Sequence, residues 1–277
     1  SKIIYLEHRL NSFVLNSKLP LMIKKLYGLI RNHFGRALYR NKFFPLKSSP
    51  SYIISTVLEK GDQFMDIGAE EGHMMALSSV AVGKQGRVYA FEPRQIAVDH
   101  LKVMISDYGL NNVTLYQSLL GTTIGEVEMF ENFENPSSSS LYSEWGGGQS
   151  RIYPMTTLDA WAEKNQVIKT DLIKMDVEGA EMQVLQGGKT FLKEAQPILI
   201  LEIRDQEIRL QKFGYDVNDI LKFLRSVGYN HFFSLRSTGL ATIEKRSDLL
   251  DSDHDMLASC TTETSLRKLK KLGITGL

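Results

Sequence analysis

The clearest chemical content of the sequence lies in three runs where acids gather beside glycines. Asp66-Ile67-Gly68-Ala69-Glu70-Glu71-Gly72 follows a short apolar stretch and leads into a helical one. Glycines at such a turn let the backbone bend sharply and approach a ligand, and they leave the N–H groups of the following helix free to donate. Only two glycines are present, against three in the dinucleotide fingerprint, and nothing in the turn cradles a pyrophosphate. Glu92, followed by Pro93, closes the next apolar run. A carboxylate accepts hydrogen bonds and donates none, so Glu92 suits the hydroxyls of a ribose lying over the glycine turn. The competing reading is an N-capping acid for the helix from 94 to 108. The third run, Lys174-Met175-Asp176-Val177-Glu178-Gly179-Ala180-Glu181, drives a buried strand into three acids, and Glu202 ends the strand after it. Ligands of open α/β sheets bind outside the carboxyl ends of the strands, so Asp66, Glu92 and Asp176 should face one crevice. Glu181 has a simpler explanation as a first-turn acid favoured by the helix dipole.

These residues need a scaffold, and the pattern from residue 62 onward is strand alternating with helix, the mark of parallel βαβ units covered on both faces. Strands are expected at 63–67, 87–91, 113–117, 172–175 and 198–203, with shorter ones at 127–130 and 151–154. Helices are expected at 74–82, 94–108, 157–164, 180–193 and 217–227. Strands 231–235 and 240–244, joined by Arg236-Ser237-Thr238-Gly239, read as a closing antiparallel hairpin. The fold class is therefore a doubly wound, Rossmann-like α/β sheet of seven mostly parallel strands, over residues 51–245, with residues 246–277 as a weakly packed helical tail. The Ser- and Gly-rich stretch from Asn135 to Gln149 is too polar for core and reads as a mobile loop; Trp145 within it could stack on a sugar.

Residues 1–50 differ in kind. Residues 1–47 carry ten Lys or Arg against the single acid Glu7, about +9, which leaves the remainder about −8 within a net charge of +1. Met22, Leu26, Leu29, Ile30, Phe34 and Leu38 recur there at helical spacing, giving a basic amphipathic helix. Packing on the domain, self-association, contact with an anionic membrane surface and binding of a polyanionic substrate all remain open readings, and Pro45 to Pro50 reads as the linker. Nucleic acid is not expected as a partner, because the main body is acidic and lacks a basic face interleaved with aromatics. The one cysteine, Cys260, and the lack of an apolar run near 20 residues point to a cytoplasmic protein, peripheral to a membrane at most.

Taken in order, FMDIGAEEG at 64–72, VYAFEP at 88–93, TLD at 157–159, DLIKMDVEGAE at 171–181 and PILILEI at 197–203 resemble the FkbM family of S-adenosylmethionine-dependent methyltransferases. The similarity runs from about residue 55 to 245. It implies a class I methyltransferase-like sheet and O-methylation of a sugar, a glycan or glycolipid, or a polyketide-like acceptor. It also implies a cofactor site of Asp66, Gly68, Ala69, Glu70, Gly72, Glu92, Pro93, Ser118 and Asp176. For the acceptor hydroxyl two arrangements follow. Asp176 or Glu178 acts as base with His73 nearby, or Asp176 and Glu202 hold Mg²⁺, whose preferred ligands are oxygens. Glu70 replaces an Asn of the family pattern, Met74-Met75 replace an aromatic and a hydroxyl, and an Asn on the next helix is absent. A non-catalytic FkbM-like binding protein is accordingly the alternative reading.

Overall fold

The computed structural model describes residues 49–131, 149–203, 206–236, 239–250 and 253–274. The basic segment 1–47 and nearly all of the polar stretch from Asn135, Trp145 included, lie outside the described residues. Helix α1 (Pro50–Val57) starts where the Ser49 hydroxyl accepts the Tyr52 N–H at 3.2 Å, with Pro50 already at the first helical position. Pro50 thus belongs to the domain rather than to a linker. The chain continues as β1 (Gln63–Ile67), α2 (His73–Val82), β2 (Arg87–Phe91), α3 (Gln95–Tyr108) and β3 (Val113–Tyr116). After an inserted trio, β4 (Leu119–Leu120), β5 (Gly125–Glu131) and β6 (Gln149–Thr156), come α4 (Leu158–Lys164) and β7 (Leu172–Met175). Then follow α5 (Glu181–Gly187), α6 (Lys189–Ala195), β8 (Ile198–Glu202), α7 (Gln206–Phe213) and α8 (Val217–Ser226). The last elements are β9 (Tyr229–Arg236), β10 (Gly239–Thr242), β11 (Asp255–Cys260) and α9 (Glu263–Lys271).

The main sheet has the order β10-β9-β11-β8-β7-β1-β2-β3. The run from β8 to β3 is parallel throughout, while β11 pairs antiparallel with both β8 and β9. Alternate residues of the central strands feed opposite cores, as the period of a strand requires. Phe64, Leu172, Ile198 and Ile200 pack with Ile53, Met75, Leu101 and Leu269 on one face. Met65, Ile173, Leu199 and Leu201 pack with Trp161, Leu185, Leu192 and Leu224 on the other. Helices cover both faces, so the doubly wound expectation holds. Among the described residues no helix is long and apolar enough to cross a membrane.

Several expectations are corrected. The main sheet has eight strands, not seven, because residues read as a tail form β11, inserted between β8 and β9 with Met256, Leu257 and Ala258 fully buried. The helix expected over 180–193 is two helices, broken at Gly187-Gly188. A Cβ on Gly187 would lie 1.9 Å from the Gly121 carbonyl oxygen, so close backbone approach between α5 and the loop after β4 demands glycine there. Helix α7 has no clear apolar period and was not anticipated. The strands at 127–130 and 151–154 lie within β5 and β6, which pair antiparallel from Gly125↔Met155 to Glu131↔Gln149 in a separate small sheet.

The C-terminal helix is fastened by charge. Lys268 is 1% exposed on α9, with its ammonium 2.6 Å from Asp62 and 3.2 Å from Asp171 at the two loops that lead into β1 and β7. Removing the ammonium leaves two mostly buried carboxylates with backbone N–H donors from Glu59 and Gln63 and, for Asp171, the exposed Lys169 at 3.9 Å as the remaining compensation. Lys268→Ala is therefore expected to lower unfolding free energy by about 3 kcal/mol in urea titration, whereas Lys270→Ala in the same helix should change it little.

Candidate active site

Parallel pairing sets the carboxyl ends of β1, β2 and β7 side by side, with Ile67 opposite both Phe91 and Met175. The cleft above them is lined by Gly68 and Glu70 of the first turn, Phe91, Glu92, Pro93 and Arg94 of the second, and Asp176, Val177 and Glu178 of the third. Ser118, Leu119, Leu120 and Met129 close it from the small-sheet side. Its floor is stiffened by aromatics: Phe91 stacks on Tyr116 at 5.2 Å, and Trp161 meets both rings edge-on at 5.1 and 5.3 Å.

The glycine turn is pinned to β2, since the N–H groups of Gly68 and Ala69 both donate to the Phe91 carbonyl at 3.0 Å. Gly68 has φ +84, and a Cβ there would sit 1.9 Å from the Asp176 carbonyl oxygen. The turn and the third acidic run thus touch through bare backbone. Glu92 is 2% exposed and faces this turn. Its Oε2 accepts the Glu70 N–H at 3.0 Å, and its Oε1 accepts the Arg94 N–H at 3.0 Å and the Arg94 Nε–H at 2.8 Å. The helix-cap reading of Glu92 is thereby set aside: Arg94, two residues on, is the cap residue of α3, and its own side chain makes no capping bond.

The structure brings Gly68, Glu70, Glu92, Pro93, Ser118, Asp176 and Glu178 to one cleft. Asp66, Ala69 and Gly72 support it from behind, Asp66 being 1% exposed, Ala69 6% exposed and Gly72 holding the left-handed cap of α2. Glu202, at the end of β8, offers a carboxylate oxygen within 4.8 Å of those of Asp176 and Glu178. His73 is not brought there. It begins α2 beside Glu71, Nδ1 to Oε2 3.4 Å, and opens on a groove with His100 and Asp107 along α3. Its proximity in sequence misled because the helix turns the side chain away from the strand ends. Glu181 is fully buried and accepts the Val177 N–H at 3.2 Å and the Tyr215 hydroxyl at 3.0 Å, so it shapes the loop rather than the cleft. His231 lies near the start of β9, with Nε2 3.2 Å from the Thr261 hydroxyl.

Two cations went unnoticed in the sequence. Lys174 reaches Asp176 Oδ2 at 3.1 Å. Burial opposes its charge, but Asp176 and Asp66 more than offset this and hold its pKa above the ordinary value. Arg94 is likewise held above its usual pKa, burial being outweighed by Glu92, Glu70 and Glu131. The alternation of acid and base at 92/94 and 174/176 was the available signal. Asp66 is the converse case: burial, opposed by Lys174 and reinforced by Asp176, pushes its pKa up to about 7, and neither oxygen has a hydrogen-bond partner within the usual limits.

The FkbM methyltransferase domain model matches residues 66–230, and the chain belongs to that family of S-adenosylmethionine-dependent methyltransferases. It is 26% identical over 167 residues to the hexuronic acid methyltransferase AglP of Haloferax volcanii, covering 60% of this chain and 62% of that protein. The crystal structure of an FkbM methyltransferase from Methylobacillus flagellatus KT superposes with a TM-score of 0.51 at 16% identity, over 89% of this chain and 57% of that one. The chain thus spans about three fifths of the length of each.

Asp66 sets a pH signature. Because its folded pKa lies above the unfolded value of 3.8, its contribution favours folding at low pH and is lost as pH rises through about 7. Asp66→Asn should therefore be more stable than wild type at pH 8, by up to about 4 kcal/mol, with the gap closing near pH 4. Urea titrations across that range measure the effect, and a gap that widens toward acid would contradict the assignment.

Proposed function

We propose that this chain transfers a methyl group from S-adenosylmethionine to a hydroxyl oxygen of a sugar or glycan-like acceptor. The observation that carries the reading is the convergence of the Gly68 turn, Glu92 and Asp176 on one cleft at adjacent strand ends. The residues fit such a cofactor: Glu92 presents a carboxylate acceptor to a ribose, Gly68 and Glu70 bring the first turn to the wall of the same cleft, and Asp66 places a buried acid behind it. When bound, the cofactor supplies a methyl group on a sulfonium sulfur.

The chain's own residues do the rest. Leu119, Leu120 and Met129 give the cleft an apolar wall that excludes water, and Phe91 over Tyr116 keeps its floor rigid. Asp176, about one-third exposed, takes the proton from the acceptor hydroxyl, while the Lys174 ammonium at 3.1 Å holds that carboxylate in place. Glu178, with φ +51 just beyond, is the second candidate base. The sugar class of acceptor is supported by the likeness to a hexuronic acid methyltransferase. Asp176, Glu178 and Glu202 also form an oxygen donor set suited to Mg²⁺. Lys174 already balances Asp176, so no step is assigned to a metal, and treatment with EDTA is expected to leave transfer intact.

Calorimetry with S-adenosylhomocysteine tests the cofactor reading. Saturable binding is expected, weakened by about 1.5–3 kcal/mol in Glu92→Ala, as for a lost hydrogen bond to a charged group. A folded wild type that binds nothing at millimolar ligand would leave the non-catalytic alternative. With hexuronic acid glycans as acceptors, Asp176→Asn should lower kcat about 10²-fold or more.

A further inference from the structure

The carboxylate of Glu92 is not an open acceptor for two hydroxyls. It has about four acceptor positions, two on each oxygen. Arg94 fills both positions on Oε1, through its backbone N–H at 3.0 Å and its Nε–H at 2.8 Å. The Glu70 N–H takes one position on Oε2 at 3.0 Å. Among the described residues this leaves one position, on Oε2, on a side chain that lines the cleft. The clamp is itself enclosed: the Glu92 and Arg94 side chains are 3% and 12% exposed, and the charges of Glu70 and Glu131 act on the guanidinium together with Glu92. Glu131, at the end of β5, is 5% exposed and its Oε1 has no hydrogen-bond partner among the described residues.

The geometry points to Arg94 as a positioning residue that fixes Glu92 and limits it to reading a single ribose hydroxyl of the cofactor. The inference rests on the proposed cofactor site and goes beyond it by stating which hydrogen bonds that site can still make. An arginine beside a ribose-reading position can instead accommodate a 2′-phosphate. Here Glu92 binds the guanidinium directly and the charges of Glu70 and Glu131 act on it as well, so the local field repels a phosphate rather than binding it. Arg94 serves the acid, not an anionic ligand.

The test is calorimetric binding of S-adenosylhomocysteine and of its 2′-deoxy and 3′-deoxy analogues to the full chain and to Arg94→Met. In wild type, loss of one hydroxyl should raise Kd at least tenfold and loss of the other less than threefold. In Arg94→Met the Nε–H is gone and Oε1 regains a position, so the two analogues should be penalised alike. Arg94→Gln, closer in polarity, provides a second variant with the same expectation if Arg94→Met folds poorly. A merely structural arginine would lower affinity for all three ligands by one common factor. Equal penalties in wild type, a pattern unchanged in both variants, or saturable binding of adenosine 2′-phosphate would each overturn the assignment. Failure of wild type to bind S-adenosylhomocysteine at all would instead remove the cofactor site, and this inference with it.

Discussion

The structure depends on how closely the ends of β1 and β7 approach. Their parallel pairing puts Ile67 beside Met175, and the next residues meet through backbone alone, with no room for a Cβ between Gly68 and the Asp176 carbonyl. That contact fixes the distance between the glycine turn and the acid run. Pairing of β1 with β2 adds Glu92 at the same level, and the Phe91 carbonyl holds the turn in place through two N–H donors. Three loops that are far apart in the chain become one cleft because a parallel sheet aligns its strand ends. The flanking helices and the small sheet then set what can enter.

Electrostatics is the second constraint. An isolated buried charge is costly, and the cleft gathers acids beyond the ends of β1, β2 and β7. Two of the acids that line it are answered locally: Lys174 sits against Asp176 and Arg94 against Glu92, and both cations are held in their charged form in spite of burial. Asp66 is the exception, desolvated and without a hydrogen bond of ordinary geometry among the described residues, and burial accordingly favours its protonated form. The balanced pairs can be preorganised without large penalty, which is what a site that must stabilise charge in a dry cleft requires.

Much of this was legible in the sequence. The central strands at 63–67, 87–91 and 172–175 are buried on both faces, so their short apolar runs bounded by turn residues were unambiguous. Glycine and acid at fixed spacing marked the cleft because strand ends, not side-chain orientation, decide who meets there. What escaped depended on long-range packing. Strand β11 is a six-residue run whose partners, β8 and β9, precede it in the chain, so its place in the sheet had no local signature. The break at Gly187 answers a neighbour at Gly121. The direction of His73 was decided by the first turn of α2, and the roles of Lys174 and Arg94 by acids two residues away, a spacing visible in the sequence whose contacts the geometry supplies.

The central claim is that the strand-end cleft is where the cofactor binds, and hydrogen–deuterium exchange tests it most directly. Adding saturating S-adenosylhomocysteine to the full chain should slow exchange in segments 67–72, 91–95 and 175–179, while the hairpin of β9 and β10 remains unchanged. Slowing confined to other segments, or none in those three, would contradict the placement of the site.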